Sequence, residues 1–124
     1  MKKSKIMTGK QANIAAEARV SIILEQIAVT SGQNGGKLPK INLTDYPSEA
    51  DYNAVAGEDS EWSYLDHQIV NRAMVRILRE HKIKTQMVEI KKSDYFQWLN
   101  SECRKNTPAN RSLYGGFLAN REMT

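Results

Sequence analysis

Trp62, Leu65, Ile69, Ala73 and Ile77 recur at steps of three and four, with Val70, Met74 and Leu78 beside them. That period puts one apolar face on a helix that should stop near His81. Ser60 or Ser63 can cap it, and Ser63 with Asp66 matches a capping box. A second periodic stretch precedes it. Ala12, Ala16, Val20, Ile23 and Ile27 share a face, and Ile14, Ala18 and Ile22 widen it. The expectation is a helix from about Lys10 to Thr30, capped by Thr8, with only Lys10, Glu17, Ser21 and Glu25 clearly polar. A helix so apolar sits centrally in a bundle or at a dimer interface. A homo-oligomer through 10–30 is therefore expected.

The remaining segments are shorter. GQNGG at 32–36 reads as a helix stop. Leu38, Ile41 and Leu43 alternate with polar residues, giving a short extended segment that Pro39 confines to an edge or a strand start. TQMVEI at 85–90 alternates and is its expected partner strand. Residues 45–60 read as an ordered loop with a short helical turn at 48–55. Ser93 should cap a short helix with Phe96, Leu99 and Cys103 on one face. Thr107 and Pro108 open a last helix as N-cap and first residue. Leu113, Tyr114, Phe117 and Leu118 give its apolar side, and Gly115-Gly116 suggests a close helix crossing. The fold class is mostly α (α+β): about four helices and a minor two-stranded β-sheet in a single domain, residues 1–124, with 1–7 as a flexible basic leader.

Composition adds limits. A chain of 124 residues with 40% hydrophobic content can bury a core without covalent staples. Cys103 is the only cysteine, so no intrachain disulfide forms and cysteine-based zinc sites are excluded. No apolar run follows the basic start, so neither a signal peptide nor a membrane span is read, and the cytoplasm is the default compartment. No motif asks for a cofactor, and no His or Asp spacing matches a metal site.

Charge changes the picture most. Asp45, Glu49, Asp51, Glu58, Asp59, Glu61 and Asp66 follow one another with no Lys or Arg among them. Cations outnumber anions on both sides of this segment, and the whole chain carries a net charge of +4. Glu58, Asp59 and Glu61 are expected before or within the first turn of the 62–81 helix, where the dipole favours carboxylates. Arg72, Arg76 and Arg79, at i, i+4 and i+7, share one side of that helix. Lys82, Lys84, Lys91 and Lys92 continue the basic run, and Arg forks suit phosphate or carboxylate. These residues point to a non-enzymatic binding protein that docks nucleic acid or an acidic protein. The bland alternative is that the acidic segment neutralises the stripe. A protein-interaction or inhibitor module without nucleic-acid affinity is the other binding class.

Two resemblances add residues. Met87-Val-Glu-Ile-Lys91 resembles the end of the PD-(D/E)xK nuclease motif, and QANIAAEARVSIILEQ resembles that family's first helix. The resemblance implies Glu17, Asp45, Glu89 and Lys91 around a divalent metal that activates water. Here a long helix separates Asp45 from Glu89, where the family has a β-hairpin. The strand leading into SDYFQWL is similar to the strand-to-helix edge of small winged DNA-binding modules, which implies base stacking by Tyr95 or Trp98. Otherwise Trp62, Phe96, Trp98 and Phe117 are expected as core anchors, Cys103 as a buried small hydrophobe, and His67 and His81 as structural or solvated.

Overall fold

The computed structural model describes residues 7–33 and 40–122. Most of the basic leader, residues 34–36 of the GQNGG segment, and Leu38 and Pro39 at the start of the expected extended segment lie outside the described residues. The elements run α1 (Gly9–Gln33), β1 (Ile41–Asp45), α2 (Glu49–Val55), α3 (Tyr64–Glu80), β2 (Thr85–Glu89), α4 (Lys92–Ser101) and α5 (Pro108–Glu122). The chain is mostly helical with a minor two-stranded sheet, as its periodicity predicts. The additional helix is α2, where only a helical turn is expected. The chain divides into two compact units, Met1–Ile41 with Leu65–Thr85, and Asn42–Tyr64 with Gln86–Thr124.

The first unit holds α1 and α3. Thr8 and Gln11 close a reciprocal capping box at the start of α1: the Gln11 N–H donates to Thr8 Oγ1 at 3.1 Å and the Thr8 N–H to Gln11 Oε1 at 2.9 Å. Ala12, Ala16, Val20 and Ile27 are buried. The widening residues are not: Ile14 is 59% and Ile22 58% exposed. The helix also runs through Gly32 to Gln33. On α3, Val70, Ala73, Met74 and Leu78 are buried and Leu65 is exposed. The Met7 N–H donates to Asp66 Oδ1 at 2.8 Å, and Arg76 donates to Asn13 Oδ1 at 2.6 Å, so two polar links tie the N-terminal part of α1 to α3.

The second unit is built around tyrosine. Tyr46, Tyr52, Tyr95 and Tyr114 are buried with Val55, Ala56, Ile90 and Leu99. Of the expected aromatic anchors, Trp98 is half-buried and packs against this core, Trp62 is half-buried, and Phe96 and Phe117 are exposed, a correction for these two. Tyr95, expected alongside Trp98 as a residue that stacks bases, is fully buried. Cys103, expected inside, is an exposed free thiol. A buried phenol needs a partner. Tyr52 Oη donates to the Trp62 carbonyl at 2.7 Å, Tyr64 Oη to the Tyr46 carbonyl at 2.6 Å, and Tyr95 Oη to Asn106 Oδ1 at 2.8 Å.

The sheet is parallel. The Ile41 N–H donates to the Lys84 carbonyl at 2.9 Å and the Ile90 N–H to the Asp45 carbonyl at 2.9 Å, so the two strands start together and end together. That register sets Asp45 beside Glu89. Ser93 does not cap α4, which starts two residues earlier than that cap implies, with Lys91 at the N-cap and no side-chain cap bond. Thr107 does cap α5, accepting from the Asn110 N–H at 3.1 Å. The glycine pair serves a sheet contact rather than a helix crossing. A Cβ on Gly115 would lie 3.1 Å from Thr44 Cγ2 and 3.4 Å from Val88 Cγ2, whereas among the described residues nothing lies within 4 Å of one on Gly116.

Candidate nucleic-acid interface

Burial of Val70, Ala73, Met74 and Leu78 turns the other side of α3 to solvent, and Arg72, Arg76 and Arg79 all lie there, exposed. Arg76 is tethered by Asn13; Arg72 and Arg79 have no side-chain hydrogen bond or ion pair among the described residues.

The stripe continues through the end of the helix. The Lys82 N–H bonds to the Arg79 carbonyl at 2.9 Å and the Ile83 N–H to the Leu78 carbonyl at 2.9 Å. These are the two bonds of a Schellman motif, with Lys82 as its left-handed residue at φ 62°. Ile83 is buried beneath the turn. Above it an open groove of about 440 Å³ is lined by Lys40, Arg79, Lys82, Ile83, Lys84 and Thr85. No carboxylate lines it, and the side chains of Lys82 and Lys84 are unpaired among the described residues.

Three of the seven acids bond to groups other than the stripe. Asp51 Oδ1 accepts the Lys92 N–H at 2.8 Å, Asp59 pairs with Arg111 at 2.7 Å, and Asp66 accepts the Met7 N–H at 2.8 Å. Of Glu58, Asp59, Glu61 and Asp66, only Asp66 lies in the first turn of α3; the other three occupy the connection before it. Lys91 and Lys92, both exposed, belong to the second unit at the start of α4. There the Lys92 N–H, with help from the Ser48 hydroxyl, holds the Asp51 carboxyl below its usual range.

The nuclease-like residues are partly brought together. Asp45 and Glu89 sit side by side at the C-terminal ends of the paired strands, with Lys91 two residues on. Asp45 Oδ1 is buried without a hydrogen-bond partner among the described residues. Burial first, then the Asp45 and Glu89 carboxylates, push the Tyr64 phenol up. Glu17 is exposed on α1, in the first unit. Among the described residues no three His, Cys, Asp or Glu side chains group to hold a metal ion.

No family model, no curated protein and no solved structure matches this chain. Among the described residues no helix is long and apolar enough to cross a membrane.

The sequence reading missed Arg111. It is buried on α5 and donates to Asp59 Oδ1 at 2.7 Å, Asn106 Oδ1 at 2.9 Å and the Val55 carbonyl at 3.1 Å. The available signal was its spacing: Arg111 lies three residues before Tyr114, on the face that α5 buries. The Trp98 ring is half-buried, with the Arg104 guanidinium 5.6 Å from its centroid.

Proposed function

We propose that this chain is a non-enzymatic binding protein that docks the phosphate backbone of nucleic acid along the exposed side of α3. Arg72, Arg76 and Arg79 supply guanidinium forks, and Lys82 and Lys84 extend the contact beyond the helix end. The observation that supports this best is that Arg79, Lys82 and Lys84 have no anionic partner among the described residues while Asp51, Asp59 and Asp66 bond elsewhere. Unneutralised cations in a row attract a polyanion and release its counterions on contact. Lys91 and Lys92 form a second basic pair, at the start of α4. The single, free Cys103 agrees with a reducing compartment such as the cytoplasm.

Fluorescence anisotropy with labelled DNA and RNA over a range of salt concentrations tests the reading. Affinity should fall linearly on a log–log plot as salt rises, and Arg72→Ala, Arg76→Ala and Arg79→Ala should each weaken binding uniformly across sequences. No binding at low salt rejects it and leaves an acidic protein as the ligand to seek.

Self-association is a further part of this reading. Ile14, Ile22 and Val29 stand 59%, 58% and 67% exposed on the outer side of α1, and a second copy would cover them. Sedimentation of the wild type against Ile22→Glu measures this directly, with a monomer expected only for the variant.

A further inference from the structure

We infer that the groove at the C-terminal end of α3 is a seat for one phosphodiester group, and that Lys82 is the residue committed to it. This rests on the docking reading above and assigns its anchor point.

Lys82 occupies a backbone position that favours glycine. At φ 62° its Cβ crowds the following carbonyl, a penalty glycine does not have. Folding alone gives little reason to keep a lysine there. The side chain is exposed and makes no hydrogen bond or ion pair among the described residues. A cation near a helix C-terminus does complement the dipole, but Arg79 already supplies one in the last turn. What a lysine adds over a glycine is an ammonium group on a groove that Arg79 and Lys84 also line.

The end of α4 serves as an internal comparison. Cys103 holds the left-handed position of the same motif at φ 54°, with the Arg104 N–H bonded to the Leu99 carbonyl at 2.9 Å. Its neighbours are Glu102 and Arg104, of opposite charge. A side chain at the left-handed position therefore recurs in this chain; what differs is the groove beside it, whose charged lining residues at Lys82 are all cations, whereas the one at the end of α4 is lined by both Glu102 and Arg104.

The shape of the groove selects the ligand. It is open rather than enclosed, its buried floor is Ile83, and its rim is cationic on the α3 and strand sides. A small anion there would stay largely hydrated. A phosphodiester within a polymer is held in place by its neighbours and needs only one charged edge of contact.

The test compares wild type, Lys82→Gly, Lys82→Arg and Cys103→Gly, by thermal melting and by anisotropy of a labelled oligonucleotide over several salt concentrations. Lys82→Gly and Cys103→Gly should both melt higher than wild type, since each relieves a left-handed residue. Only Lys82→Gly should lose affinity, severalfold, with a salt slope smaller by about one. Lys82→Arg should restore the affinity. If Lys82→Gly binds like wild type while Arg76→Ala weakens binding, the seat is wrong and the docking reading stands. If wild type binds no oligonucleotide, both fail. If inorganic phosphate at constant ionic strength displaces the oligonucleotide, the assignment to a diester is overturned in favour of a free anion.

Discussion

The Arg111 guanidinium reaches Asp59 at 2.7 Å from a side chain only 10% exposed, while the carboxylate it meets is 43% exposed. The pair is therefore asymmetric: water can replace Arg111 for Asp59, but not Asp59 for Arg111. Asp59→Ala should destabilise the protein by about 2 kcal/mol, below the cost of breaking a fully buried pair because the acid is half solvated. Arg111→Met, which keeps the apolar stem and removes the charge, should cost less. Urea midpoints decide the order, and the reverse ranking would refute the argument.

Burial pushes the Tyr46 phenol up to about 12, against the opposing effects of Arg111 and a hydrogen bond with Thr44. A folded pKa above the unfolded value near 10 means the folded state holds its proton longer. Stability should be complete below pH 10 and fall as pH rises through 12, by roughly 2–3 kcal/mol for this group alone. Tyr64, Tyr95 and Tyr114 are raised too, so the alkaline loss is shared. Tyr46→Phe should flatten the alkaline limb of a stability-against-pH curve, and an unchanged slope would count against its burial.

Adjacent glycines of α5 should respond with opposite signs. Gly116→Ala meets open space and should stabilise by about 1 kcal/mol through helix propensity. Gly115→Val would drive branched methyls into Thr44 and Val88 and should destabilise by about 1–3 kcal/mol. Thermal melts of the two single variants provide the comparison. Equal shifts would mean that α5 does not rest on the sheet there.

Ser48 Oγ accepts the Asp51 N–H at 3.2 Å and caps α2, while Asp51 also holds the start of α4 through the Lys92 N–H at 2.8 Å. Ser48→Ala should cost about 1 kcal/mol. The Asp51 pKa is lowered, so its contribution is present above the unfolded value of 3.8 and fades as pH falls through the folded value. Asp51→Asn should remove that acid sensitivity, which acid titration of the two proteins by circular dichroism will show.

Regular periodicity was enough for α3, whose buried Val70, Ala73, Met74 and Leu78 force the arginines outward. It was not enough for α1, where two apolar stripes two residues apart compete. Sequence cannot say that Ala12, Ala16 and Val20 go in while Ile14 and Ile22 stay out, because that depends on the surface α1 meets. The tyrosine core was illegible for a related reason. A phenol is buried only where a partner awaits it, and the partners of Tyr52, Tyr64 and Tyr95 lie ten or more residues away. Arg111 was overlooked because its carboxylate, Asp59, comes from a connection that reads as solvated. Within the proposed interface the cations were legible, but not the turn that sets Lys82 on the groove.

Parallel pairing of β1 with β2 also bears on the order in which the protein acquires its structure. About forty residues separate the strands, and a parallel pair cannot close as a hairpin. The intervening chain must be brought back across its own length before the first ladder bond is rewarded, which is slow compared with forming α1 or α3. Helices should therefore gain hydrogen-exchange protection early in refolding, and the amides of Ile41 and Ile90 late. The short sheet is the kinetic keystone of the fold, contributing few bonds but deciding when the native state is reached.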